Sequence, residues 1–192
     1  MKFTSTILGL ALGATLTVSA YASQPSRDSD VAEFQAIASE YQQAMNSYNV
    51  ETVIPRLGNK LDLWMPLGIQ IKTQDDFRSY MKAMANKIGI GKGGTYRIKS
   101  PAKALVRYFK GNGDEAYVAG SMDEEVQVLG QTPKAYASNW LIHLKKSEGK
   151  WKIVGGSLDA DPAGQSFTVA DINGWKAEIE SAMKAKPAKG GK

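Results

Sequence analysis

From Val31 the apolar residues fall at Phe34, Ile37, Ala38, Tyr41, Ala44, Met45 and Tyr48, the spacing of a helix with one buried face. The polar run at 46–49 breaks it, and a short helix from Val50 to Leu57 ends at Gly58. The period then drops to two. Leu61, Leu63 and Met65 alternate with Asp62 and Trp64, which predicts a strand with large residues on both faces. Pro66–Gly68 turns it, and residues 69–71 form a brief return strand. Thr73, with Asp76 three residues on, reads as a near capping box opening a second long helix. Its buried stripe is Phe77, Tyr80, Met81, Met84 and Ile88.

Four glycines between 89 and 94 make a flexible connection, without the strand–loop–helix order or G-K-[ST] of a phosphate loop. The rest is mostly strand. Tyr96, Ile98, Ala102, Ala104, Val106 and Tyr108 share one phase of a long strand, and Arg97, Lys99, Lys103 and Arg107 the other. The basic phase is expected to pair with acids such as Asp123 and Glu125 on the next strand. A hairpin turn at 111–114 leads to a strand with Ala116, Val118, Gly120, Met122, Val126 and Val128 in phase. A third strand covers 136–145 and a fourth 151–154. Four long antiparallel strands in a meander after three helices predict an α+β domain. A mid-strand glycine predicts a bend, so the sheet should curve around the helices. Thr168 with Asp171 forms a second capping box, opening a C-terminal amphipathic helix whose stripe is Ile172, Trp175, Ile179, Ala182 and Met183. That stripe must be buried on the domain, over a pocket mouth, or in a partner.

The 192 residues suit one domain with a real core. Lys2, the apolar run 7–20 and the A-x-A site Ala20-Tyr21-Ala22 have the form of a secretory signal peptide. The organisation expected is therefore a signal peptide 1–22 cleaved after Ala22, a linker 23–30, a domain 31–162, a helical extension 163–184, and a basic disordered tail 185–192. The mature protein is expected in the periplasm or outside the cell. The chain has no cysteine, which excludes disulfides, thiolate metal sites and cysteine nucleophiles. Its single histidine, His143, excludes a His-rich metal site. The net charge of +5 is concentrated in the tail, with Lys184, Lys186, Lys189 and Lys192, so it reads as solubilising rather than nucleic-acid-binding. No cofactor is called for.

Three motifs carry a resemblance. Tyr41-Gln-Gln-Ala-Met-Asn46 with Asn49-Val-Glu51, then Trp64-Met-Pro-Leu-Gly68, then Gly149-Lys-Trp-Lys-Ile-Val154 stand in the order and spacing of the nuclear transport factor 2-like superfamily. That group includes the SnoaL-like polyketide cyclases and the ketosteroid isomerases. Over residues 31–161 the resemblance implies a cone-shaped fold, a curved antiparallel sheet packed on three N-terminal helices, with a pocket at its open end. It also implies homodimers through the sheet face. In the isomerases a helix-one tyrosine donates to the developing enolate, and Tyr41 stands there. A carboxylate before the turn proline moves the proton, but here that residue is Met65. The late-strand region 138–141 holds no acid, and Gly155-Gly156 stand where related families place a histidine. Steroid-isomerase chemistry is therefore not expected.

Other candidates come from the residues themselves. Glu124 shares the phase of Val118, Met122 and Val126, which would put a carboxyl in an apolar cup and raise its pKa. The simpler reading is a bend or bulge at Gly120 that turns Glu124 to solvent. His143 falls opposite Trp140, Ile142 and Leu144, on the surface or a dimer face. Asp159 and Asp161 end the last strand, as turn residues or as a base near the open end. Met45, Trp64, Met65, Met81, Met84, Met122 and Trp140 are expected to line an adaptable apolar pocket. The leading expectation is a small, largely apolar ligand without clear catalysis. An isomerase, cyclase or lyase using Tyr41 with Glu124 or Asp159 is the alternative, and a protein-interaction module the third.

Overall fold

The computed structural model describes residues 27–100, 103–160 and 166–185. The expected signal peptide, the first half of the linker and the basic tail from 186 lie outside the described residues. Helix α1 (Asp28–Ser47) starts three residues before Val31, so the last part of the expected linker is helical. The reason is a polar one, invisible to apolar periodicity. Asp30 is only 5% exposed and accepts hydrogen bonds from Trp151 Nε1 at 2.9 Å, Lys146 Nζ at 2.9 Å and Arg27 at 3.1 Å. The expected short helix is two 3₁₀ turns, Val50–Thr52 and Ile54–Arg56. Pro55 has no N–H to continue an α-helical ladder, which keeps the segment in separate turns.

Strand β1 (Leu57–Met65) turns at Pro66–Gly68 into β2 (Ile69–Ile71). Leu67 within that turn holds φ +72, a left-handed conformation unusual for a branched side chain. Helix α2 (Gln74–Ile88) carries the predicted capping box: Asp76 N donates to Thr73 Oγ1 at 3.1 Å, and Thr73 N to Asp76 Oδ2 at 3.0 Å.

The single strand expected from Tyr96 to Tyr108 is two, β3 (Thr95–Ile98) and β4 (Lys103–Lys110). Pro101 stands between them and cannot donate to a ladder. Both lie along one edge of β5 (Glu115–Gln127), β3 against residues 124–127 and β4 against 115–121. Strands β6 (Lys134–Ser147) and β7 (Lys150–Ala160) complete the meander. The order is β2-β1-β7-β6-β5-β3, and β1 pairs parallel with β7, so the first strand joins the far side of an otherwise antiparallel sheet. The result is an open, curved seven-stranded sheet packed against the N-terminal helices. A glycine is required at 156, where φ is +129 and an added Cβ would meet Leu141 O at 2.1 Å. It lies beside the shift in the β6–β7 register and follows Gly155, where a Cβ would crowd β1.

One end of the core is aromatic. Phe34 meets Trp151 edge-on at 5.0 Å and stacks on Phe109 at 5.8 Å, with Trp151 fully buried. Helix α3 (Val169–Lys184) has the second predicted capping box and lies against α2. Lys87 ties the two helices, pairing with Glu178 at 2.6 Å and lying 5.8 Å over the Trp175 ring. Of the expected stripe only Ile179 is buried, while Ile172 and Trp175 face the pocket and Ala182 is exposed.

Candidate functional site

The sheet's concave side and helices α1, α2 and α3 enclose a cavity of about 590 Å³. Alternation on β5 puts Met122, Glu124 and Val126 on its wall, and the β5–β6 register brings Tyr136 opposite Glu124 and Ser138 opposite Met122. The third strand enters through α1. Asn46 donates to Ile98 O at 3.1 Å and accepts from Ile98 N at 2.8 Å, and the Tyr48 hydroxyl accepts from Tyr96 N at 2.6 Å. These bonds clamp the free edge of β3 and fix Tyr96 beside Glu124. Tyr41 from α1 and Tyr80 from α2 complete the group.

Glu124 is 4% exposed, so the bend that would have turned it to solvent is absent. The β5–β6 ladder runs without a break from Glu115 to Val126, and the irregularity near Gly120 sits on the β4 side. One carboxylate oxygen accepts from the Tyr96 hydroxyl and the other from Ser138 Oγ, with the Tyr136 hydroxyl a further hydrogen-bonding neighbour. Burial pushes the Glu124 carboxyl above its ordinary value, and these neutral donors offset only part of that shift. Burial first, and the Glu124 charge second, push the phenols of Tyr41, Tyr80 and Tyr96 up, as they do that of Tyr136. All four are therefore protonated hydroxyls near neutral pH. Among the described residues the hydroxyls of Tyr41 and Tyr80 have no hydrogen-bond partner, so they are available to a ligand oxygen or nitrogen.

The wall around this cluster is Met45, Met65, Met81, Met84 and Met122 with Leu158 and Ile88, and α3 with Phe167 forms part of the rim. Two expected lining residues fall elsewhere. Trp64 is 45% exposed and points to the other face of β1, because Leu63 and Met65 take the inward phase. Trp140 lines a smaller apolar cavity of about 70 Å³ beneath the main one, where its buried Nε1 has no partner among the described residues. Asp159 lines the main pocket but is exposed at the end of β7, away from the buried hydroxyl cluster. Asp161 lies outside the described residues. His143 sits on the outer face, stacked on Tyr117 at 4.4 Å and bonded to Glu115 at 2.8 Å. Of the basic phase, Lys99 pairs with Glu125 at 2.7 Å as the cross-strand pattern predicts.

Tyr96, Tyr136 and Ser138 were not singled out by sequence. Tyr136 and Ser138 share the phase of Trp140, and pairing them with Glu124 needs the β5–β6 register, which alternation alone does not supply. Among the described residues no group of three or more His, Asp or Glu side chains is placed to hold a metal ion.

No family model and no curated protein sequence matches the chain. Solved structures match it in shape. A domain of unknown function with a cystatin-like fold from Nostoc punctiforme superposes with a TM-score of 0.58 at 15% identity, over 76% of this chain and 82% of its own. A candidate scytalone dehydratase from Novosphingobium aromaticivorans gives 0.57 at 10% identity, over 70% and 85%. A ketosteroid isomerase-like protein from Erwinia carotovora atroseptica gives 0.53 at 19%, over 68% and 95%. Likeness at such identities speaks for architecture and not for activity. The chain shares its fold with these proteins, a cystatin-like, nuclear transport factor 2-like arrangement of a curved sheet on N-terminal helices.

Proposed function

We propose that the protein binds a small, largely apolar molecule in the cup between the sheet and its helices. The observation that carries this reading is a cavity of about 590 Å³ with methionine and aromatic walls around one buried carboxyl group. Its size suits small-molecule sites generally, and methionine walls adapt to irregular apolar shapes. Native mass spectrometry of the protein purified from its own host tests the reading. A small molecule that leaves on denaturation is the expected result. A protein that is always empty, and takes up no apolar dye, would contradict it.

One observation favours a second reading, acid–base chemistry on the bound molecule. Glu124 has a raised pKa, and the free hydroxyls of Tyr41 and Tyr80 lie in the same cavity. Such a carboxyl can carry a proton while a phenol steadies negative charge on a substrate oxygen. This is the pattern of an isomerase, cyclase or lyase, with Glu124 in the proton-carrying role and Tyr41 or Tyr80 as donor. Asp159, in solvent, has no comparable environment. Turnover of carbonyl compounds lost in both Glu124→Gln and Tyr41→Phe would support it, and turnover unchanged in Glu124→Gln would remove it.

Export and dimerisation belong to the same proposal. The apolar run before Ala22 supports export, which N-terminal sequencing of the mature protein tests. Exposed Trp64 and Leu141, both in register with Ser157 on the outer face, support a homodimer through the sheet, which light scattering tests.

A further inference from the structure

The hydrogen-bonding capacity of the buried cluster is lopsided. A carboxylate offers about four acceptor positions. Tyr96 and Ser138 occupy two of them at Glu124, with the Tyr136 hydroxyl beside them. The Tyr96 and Ser138 hydroxyls donate their hydrogen bonds to Glu124 and keep only lone pairs for anything else in the cavity. Tyr41 and Tyr80 can accept as well as donate. The inner wall therefore offers a ligand more acceptors than donors.

Charge and ring chemistry point the same way. Among the described residues that line the cavity, Glu124 is the one buried ionisable acid, and the lining cations are Arg78 and Lys82. Arg78 is held outside by Glu51 and Asp75, each at 2.8 Å. Lys82 is exposed, and two further lining acids, Asp159 and Asp171, oppose it in sign. Among the described residues no cation acts on the Tyr41, Tyr80, Tyr96 and Tyr136 group. Electron-rich phenol rings around a carboxylate attract an organic cation through ring quadrupoles and Coulomb energy together, and desolvation strengthens both.

We propose that the ligand is an organic ammonium with an apolar body: its N–H groups are received by Glu124 and the surrounding tyrosine oxygens, and its body rests on the methionine wall. This deepens the binding reading above and depends on it. It places the ligand's polar group at the inner wall and its hydrocarbon toward α3.

Displacement of Nile red from the full-length mature protein, at pH 7, separates the two. The competitors are phenylethylamine, phenylethanol and phenylacetate, then the same three head groups on a naphthyl skeleton. Nile red binding is itself the test of the pocket; a protein that leaves the dye free overturns both claims. With the dye bound, each amine is expected to displace it at a roughly tenfold or more lower concentration than its alcohol, with the acid weakest. In Glu124→Gln the amine should fall to the level of the alcohol while the alcohol is unmoved. Tyr80→Phe, which keeps the ring but removes one receiving oxygen, should narrow the amine's lead over the alcohol without abolishing it. An alcohol or acid that competes as well as its amine in the wild-type protein overturns the ammonium proposal and leaves the pocket standing.

Discussion

Two buried acids in this protein are treated in opposite ways. Asp30, in the first turn of α1, is met by two cations and an indole N–H. Burial opposes its charge, but the bonds from Lys146, Trp151 and Arg27 outweigh that cost, and its carboxyl stays below the ordinary aspartate value. Glu124, in the cup, is met among the described residues only by hydroxyls, burial wins, and its carboxyl rises. Both are nearly out of solvent, so the difference lies in the partners. A charge with counter-charges fastens a helix to a sheet. One with neutral donors beside an apolar cavity is still open to a proton or a cation.

The contrast can be broken first at its structural end. Asp30→Ala strands two cations and the Trp151 indole, and is expected to cost about 3–5 kcal/mol in urea unfolding at pH 7. Because the folded pKa of Asp30 is depressed, its contribution should be present above the ordinary aspartate range and fade as pH falls through it. Next, Tyr96→Phe removes one donor from Glu124 and should cost about 1–3 kcal/mol. It should also push the Glu124 carboxyl further up. Glu124→Gln is expected to move stability in the opposite sense to Asp30→Ala. A raised folded pKa means the native carboxyl binds a proton where the unfolded one has lost it, so stability falls as pH rises from the ordinary glutamate value through the folded one. Thermal melts of Glu124→Gln should therefore lack that decline, and gain on the wild type at pH 7 relative to acid. Smallest of all, Tyr41→Phe removes a hydroxyl with no partner among the described residues and should stay within about 0.5 kcal/mol in the same melts. A large loss there would mean that the phenol is part of the scaffold and not of the site.

The two regions were also unequally legible. Periodicity alone found α1, α2, the strand turn at Pro66–Gly68 and both capping boxes, because each is a local pattern of residue types. It missed the start of α1, since Asp30 is buried by partners more than a hundred residues away, Lys146 and Trp151. It joined β3 to β4, although one ends at Ile98 and the other starts at Lys103, because no loss of alternation marks the gap. Glu124 was in the right phase all along, yet whether it faced in depended on a register that only the paired β6 strand fixes. Tyr96, Tyr136 and Ser138 come from β3 and β6, so the cluster is a product of tertiary pairing and of the Asn46 and Tyr48 clamp. Trp64 illustrates the converse, since a strand flanked by large residues on both faces leaves the inward side undecided until Leu63 and Met65 are seen to be buried.

The central claim is that Glu124 is a buried acid solvated only by neutral donors. Carbon-detected NMR of the side-chain carboxyls of Asp and Glu, followed through a pH titration of the ligand-free protein, measures it directly. The account predicts a Glu124 midpoint above the ordinary glutamate value and an Asp30 midpoint below the ordinary aspartate value. Two ordinary midpoints, or the reverse order, would contradict it.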